Sequence, residues 1–241
     1  MVPTTGEFAP WNGVFETVRV VDGVPIFMKE HQLELDRAMS ALGLELNYNL
    51  EDARAKLPRL NGRWRWIVTP AGTITHFIEE EIVPPAPIEL SVSPVRVGSC
   101  NWDARFKTLS YLTHAQAWKI KTTDDVILLN EYGHMASVSR ANLFWRRNGQ
   151  LFTPAHEAGC RCGVMRAFVY KHQPATSGHF SPDDLLEAEE IFITNSLKGI
   201  VSVRAIKERS FDNFPAADEL REKYAGEVAA QVAAGNVGII K

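Results

Sequence analysis

Ser139-Arg140-Ala141-Asn142-Leu143-Phe144-Trp145 is the stretch that decides the fold of this chain, taken with Lys107-Thr108 before it and Gly163-Val164-Met165-Arg166 after it. Small residues make a turn, and Leu143-Phe144-Trp145 then has the bulky apolar composition of a strand. Asn148-Gly149 follows, a pair suited to a two-residue hairpin because both positions accept positive φ. The pattern predicts a hairpin over residues 143–153, running out at Thr153-Pro154. Beyond Gly163 the period changes. Val164, Ala167, Phe168 and Lys171 share one helical face, which predicts a helix over residues 164–172.

Toward the N-terminus, residues 15–21 and 24–28 are expected as two strands around the turn signal Asp22-Gly23. A helix is expected over 31–44, with Leu35, Ala38, Met39 and Leu42 on one face and Gly43 closing it. A second helix is expected over 50–60, then strands over 64–69 and 73–79 around Pro70-Ala71-Gly72. Pro84-Pro85-Ala86-Pro87 stiffens the chain and cannot donate to a ladder. It therefore marks residues 84–88 as a linker between domains 1–83 and 89–241. Further on, strands are expected over 88–97, 125–130 and 190–194, a helix over 109–121, and an Ala-rich surface helix from Asp218. Helices and strands mix without strict βαβ alternation, so the fold class is α+β rather than a doubly wound sheet.

Composition narrows the function. A chain of 241 residues with 45% hydrophobic content can bury a sizeable core. Net charge is −3 with a pI near 6.2, which gives no footprint for nucleic acid or an anionic membrane surface. No apolar run approaches the roughly 20 residues of a membrane span. Residues 1–15 lack a basic region followed by an apolar core, so no signal peptide is expected. Cys100, Cys160 and Cys162 suit a cytoplasmic chain with packing cysteines better than a disulfide framework or a zinc finger. His31, His114, His134 and His156 show no carboxylate or serine partner at informative spacing and are expected as core or solvated histidines.

In their order, these segments resemble the fold-type-IV pyridoxal-phosphate enzymes, which include branched-chain and D-amino-acid aminotransferases and 4-amino-4-deoxychorismate lyase. The resemblance runs from Gly13 to about Val203 and includes Phe15-Glu16-Thr17-Val18-Arg19 and Asp22-Gly23. It implies a two-domain, D-amino-acid-aminotransferase-like fold with a smaller N-terminal and a larger C-terminal domain. A homodimer acting on a small amino substrate, with pyridoxal 5'-phosphate as cofactor, follows from the same likeness. Lys107 is then the catalytic residue, forming the internal aldimine and moving protons, which requires a partly desolvated amine. Asn142 belongs to the cofactor site. The helix start at Val164 and Met165 offers main-chain donors for the phosphate. Asn195 and Ser196, in Thr194-Asn195-Ser196, supply a second phosphate loop. Arg105 and Arg166 are candidates for the substrate carboxylate.

Ala141-Asn142-Leu143-Phe144-Trp145, the apolar Met165 turn and Phe192-Ile193-Thr194-Asn195-Ser196-Leu197 lean toward the lyase, a step of folate biosynthesis. Two positions depart from the family. Glu34 stands where an arginine binds phosphate, with Arg37 one turn on. Ser137 stands where a glutamate pairs with the pyridine nitrogen and makes the ring a strong electron sink. Three functions stay open: a lyase that tolerates a weaker sink, a class IV aminotransferase, and a non-catalytic homologue with a decayed site.

Overall fold

The computed structural model describes residues 13–44, 48–81 and 83–237. Most of the stretch searched for a signal peptide, and Ile82 beside the expected linker, lie outside these residues. Internal contacts divide the chain into two units, one of residues 1–83, 106–110 and 225–241, the other of residues 84–105 and 111–224. Lys107 therefore groups with the N-terminal unit, whereas the sequence alone puts it with the C-terminal part.

The first unit holds β1 (Val14–Val21), β2 (Val24–Pro25), α1 (Met28–Ala41), α2 (Glu51–Arg54), β3 (Gly62–Thr69) and β4 (Gly72–Glu79). The strands form an antiparallel sheet in the order β2-β1-β3-β4. Asp22 and Gly23, at φ 49° and 77°, give the β1–β2 turn the left-handed pair that matches strand twist. Alternation sends Val14, Glu16, Val18 and Val20 to one face of β1, all of them buried. The three valines join Trp64, Trp66 and Val68 of β3 and pack against Leu35, Ala38 and Met39 of α1. The second strand is only two residues long, not the expected 24–28, because Phe27 takes a left-handed conformation and α1 starts at Met28. The helix expected over 50–60 shrinks to Glu51–Arg54, a turn with no buried residue and so no packing to extend it.

The second unit holds β5 (Ile88–Val97), α3 (Trp102–Arg105), α4 (Leu112–Ile120), β6 (Asp125–Asn130), β7 (Met135–Val138), β8 (Asn142–Arg147) and β9 (Gln150–Pro154). There follow α5 (Val164–His172), β10 (Ala175–Gly178), β11 (Glu190–Asn195), β12 (Gly199–Ile206), β13 (Arg209–Ser210) and the start of α6 (Pro215–Val237). The mixed sheet runs β10-β9-β8-β11-β12-β5-β6-β7, with β13 beside β12. Asn148 and Gly149, at φ 51° and 74°, form the expected turn between the paired residues Arg147 and Gln150. Register slips between Val92 and Arg96 around Pro94, which has no N–H for the ladder. Strands β8 and β11 are covered on both faces. Leu143, Trp145, Ile191 and Ile193 enter the main core, while Phe144 stacks on Phe192 and meets Tyr170 of α5 edge-on. Among the described residues no helix is long and apolar enough to cross a membrane.

Candidate active site

In the first unit, Lys107 is fixed through its backbone before its side chain is considered. Phe15 N donates to Lys107 O at 2.8 Å, and Leu109 N donates to Gly13 O at 3.0 Å. Val14 and Thr108 form an antiparallel bridge, so the segment lies along the start of β1. The Lys107 side chain is 22% exposed, and its Nζ donates to Glu16 Oε2 at 2.8 Å. His31 Nδ1 lies 2.8 Å from that same oxygen, which also accepts from Thr17 N at 3.2 Å. Burial alone would raise the Glu16 pKa. The Lys107 charge and the His31 hydrogen bond outweigh it and bring the carboxyl to about 2.

Glu16 is the partner of Lys107 that the sequence alone did not flag. The signal was available: a carboxylate at an inward position of an alternating strand, between Val14 and Val18. Its partners were not, because Lys107 lies 91 positions away and His31 is 15 away on another element. His31 is a core histidine, within expectation, but it has a carboxylate partner that no sequence spacing announced, and Trp66 lies edge-on at 6.2 Å. Glu34 accepts from Arg37 Nη1 at 2.5 Å, so Arg37 is engaged by a carboxylate. Partial burial raises the Glu34 pKa, against the pull of Arg37.

In the second unit, Asn142 opens β8 directly opposite Thr194 of β11. Its Nδ2 donates to Arg161 O at 2.8 Å and to Cys160 Sγ at 3.3 Å. A Cβ on Gly163 would lie 2.6 Å from Asn142 Oδ1, so only glycine lets the chain pass this amide on its way into α5. The first amides of α5, with no side-chain cap, are oriented as anion donors beside the buried side chains of Val164 and Met165. Asn195 Oδ1 accepts from Leu197 N and Lys198 N and so shapes the turn rather than a ligand contact. Ser196 is half-buried in that turn.

In this second unit two buried hydroxyls have no hydrogen-bond partner among the described residues, Thr194 Oγ1 and Ser137 Oγ; Thr73 Oγ1 and Thr108 Oγ1 are the corresponding pair in the first unit. Buried polar atoms are ordinarily paired, so the Thr194 and Ser137 hydroxyls are groups that a ligand can satisfy. Together with the Gly163–Asn142 passage and the free amides of α5, these two hydroxyls fit a phosphorylated heterocycle. Arg166 is buried, with Nη2 donating to Pro154 O at 2.8 Å and to Tyr170 Oη at 3.2 Å. Arg105, half-buried at the end of α3, has an unpartnered Nε. Of the cysteines, Cys160 alone packs inside; Cys100 and Cys162 are exposed, which corrects the expectation of three packing residues.

The chain belongs to the class IV amino-transferase family, whose model matches residues 13–206, and is a pyridoxal-phosphate-dependent enzyme of fold type IV. The aminodeoxychorismate lyase of Bacillus subtilis is 25% identical over 231 residues, covering 83% of this chain and 79% of the relative. A Thermotoga maritima protein provisionally named branched-chain-amino-acid aminotransferase is 24% identical, covering 82% of this chain and 78% of its own. Among solved structures, a Legionella pneumophila protein provisionally named 4-amino-4-deoxychorismate lyase superposes with a TM-score of 0.80 at 23% identity, covering 93% and 96% of the two chains.

Proposed function

We propose that this enzyme is a 4-amino-4-deoxychorismate lyase, which breaks a carbon–oxygen bond of aminodeoxychorismate and releases pyruvate and 4-aminobenzoate. The observation that carries this reading is the buried, unpartnered hydroxyl of Ser137, at the position where the family keeps a glutamate. Pyridoxal phosphate, when bound, supplies a carbonyl for the substrate amine and a conjugated ring that takes up electron density. A serine beside the ring nitrogen leaves that electron sink weak. A reaction whose product gains an aromatic ring tolerates a weak sink better than amino transfer does.

Lys107 acts as the base that removes the proton from the carbon bearing the amine, and later returns a proton to the departing pyruvate unit. Asn142 fixes the turn leading into α5, the amides of Val164 and Met165 bind phosphate, and the Asn195-Ser196 turn with Thr194 supplies hydroxyl contacts. Arg105 is the better placed of the two candidate arginines for a substrate carboxylate, since Arg166 is committed to Pro154 and Tyr170. The same reading makes the working enzyme a homodimer.

The test is a fluorescence assay for 4-aminobenzoate on purified protein with aminodeoxychorismate and pyridoxal phosphate. Product formation that Lys107→Ala abolishes is expected. Transfer of amino groups from simple amino acids to keto acids, with no 4-aminobenzoate, decides for a branched-chain or D-amino-acid aminotransferase instead. No uptake of the cofactor at saturating concentration overturns both.

A further inference from the structure

The proposed function leaves Glu16 and His31 without a task, yet their placement is costly. Glu16 occupies the core-facing row of β1, 4% exposed, between the fully buried Val14 and Val18. A charge in such a row is retained only when it is paired. Its pairing is lopsided. Oε2 alone takes Lys107 Nζ and His31 Nδ1, each at 2.8 Å, and the Thr17 amide at 3.2 Å. His31 is 1% exposed, held edge-on by Trp66 on a face of α1 whose other buried members are apolar. The other charged groups felt here are Glu34 and Arg37 of α1, which pair with each other.

We propose that Glu16 is the positioning residue for Lys107: its carboxylate fixes the ammonium and keeps it unreactive, and His31 clamps that carboxylate in place. The proposal rests on Lys107 being the reactive lysine of the function proposed above. An ammonium has no lone pair, so the contact must break and the Nζ proton must leave to solvent before the nitrogen can attack a carbonyl carbon. Glu16 stays ionised throughout. The pair thus aims the side chain and protects it from stray carbonyl compounds until the cofactor is engaged. A hydrogen bond between an ammonium and a carboxylate is short and strong because both partners are charged, and the 2.8 Å Nζ–Oε2 contact is the physical basis of the hold.

Trace acetylation of the full chain, stripped of carbonyl compounds with hydroxylamine, tests this without the cofactor. Mass spectrometry reads the Lys107 peptide against the other lysines in the same sample at about pH 8. Glu16→Gln should raise the relative reactivity of Lys107 about tenfold, Glu16→Asp should raise it less, and Glu34→Gln should leave it within about twofold. An unchanged Lys107 in Glu16→Gln, or an equal rise in Glu34→Gln, overturns the proposal. General loosening raises all lysines together and so counts against it as well. Should Glu16→Gln fail to fold, the unmodified protein still decides. Its Glu16 carboxyl carbon, followed by 13C NMR, must keep the ionised shift at about pH 3.5, well below an ordinary glutamate. Protonation there sinks the idea. If labelling behaves as expected while no pyridoxal phosphate is taken up, the hold of Glu16 on Lys107 stands, and the proposed function falls together with the catalytic purpose of that hold. Normal uptake with unchanged labelling removes this inference alone.

Discussion

A single methyl group at residue 163 would sit 2.6 Å from the amide oxygen of Asn142. The two residues are coupled because Asn142 Nδ2 holds Arg161 O, the carbonyl that Gly163 N itself bonds at 3.1 Å. The approach leaves no slack for a side chain on the way into α5. Backbone conformation is not the reason, since Gly163 is extended at φ −85°.

Gly163→Ala should therefore act through Asn142. Overpacking of this kind costs about 1–3 kcal/mol, a fall in Tm readable by thermal unfolding. Affinity for pyridoxal phosphate should drop about tenfold or more, measured by absorbance titration. In the Asn142→Ala background the same change should cost much less, because the clashing oxygen is gone. Additive effects would show that the glycine acts on something other than Asn142.

Glu190 offers a prediction about stability alone. Its buried carboxylate accepts from Ala216 N at 2.9 Å and Ala217 N at 3.3 Å, capping α6 from a neighbouring strand, with Pro215 as the first helical residue. Glu190→Ala should cost about 2 kcal/mol in urea unfolding, and Glu190→Gln, which keeps one acceptor, about half as much. Cofactor affinity should not change in either.

Acid should destabilise the enzyme in two steps. His114 is buried and stacked on Tyr111 at 4.7 Å; burial, with the Arg161 charge added, pushes its pKa from 6.5 down to about 3. The unfolded chain takes up that proton as pH falls below the ordinary histidine value, while the native chain refuses it until about 3. Stability should then fall by about 1.4 kcal/mol per pH unit across that window. His114→Phe, which keeps the stacking and cannot titrate, should remove this slope. Glu16 is shifted downward as well, with the same outcome, its stabilisation being present above 4.5 and lost as pH drops toward about 2. Denaturant curves at intervals between neutral pH and pH 3 separate the two.

Local chemistry in the sequence reached as far as local structure does. Asp22-Gly23 and Asn148-Gly149 specified their turns because positive φ at consecutive positions is a property of the residues themselves. The helix at Val164–His172 followed from periodicity. Strand β12 escaped although Gly199–Ile206 is apolar, because nothing nearby says that it will lie between β11 and β5. The Thr194 and Ser137 hydroxyls illustrate the same limit: their residue types were visible, but their burial without a partner is a property of the folded chain. Glu16 is the sharpest case. Its inward phase on β1 was readable, and its two partners were not, since both arrive from other elements.

Ser137→Glu tests whether that hydroxyl faces the ring nitrogen. Ser137 is 6% exposed and its Oγ has no partner among the described residues. A carboxylate placed there without a cation is buried and unpaired, so the variant without cofactor should lose about 2 kcal/mol or more relative to the unmodified chain. Pyridoxal phosphate, once protonated at its nitrogen, provides the missing partner, and binding should restore that loss. The thermal shift on adding cofactor should accordingly be larger for Ser137→Glu than for the unmodified enzyme. A stronger electron sink should also raise conversion of the cofactor to its amino form by simple amino acids, about tenfold or more by absorbance, while 4-aminobenzoate formation gains little. A smaller thermal shift in the variant would mean that Ser137 does not meet the ring nitrogen, and the choice of lyase over aminotransferase would then lose its carrying observation.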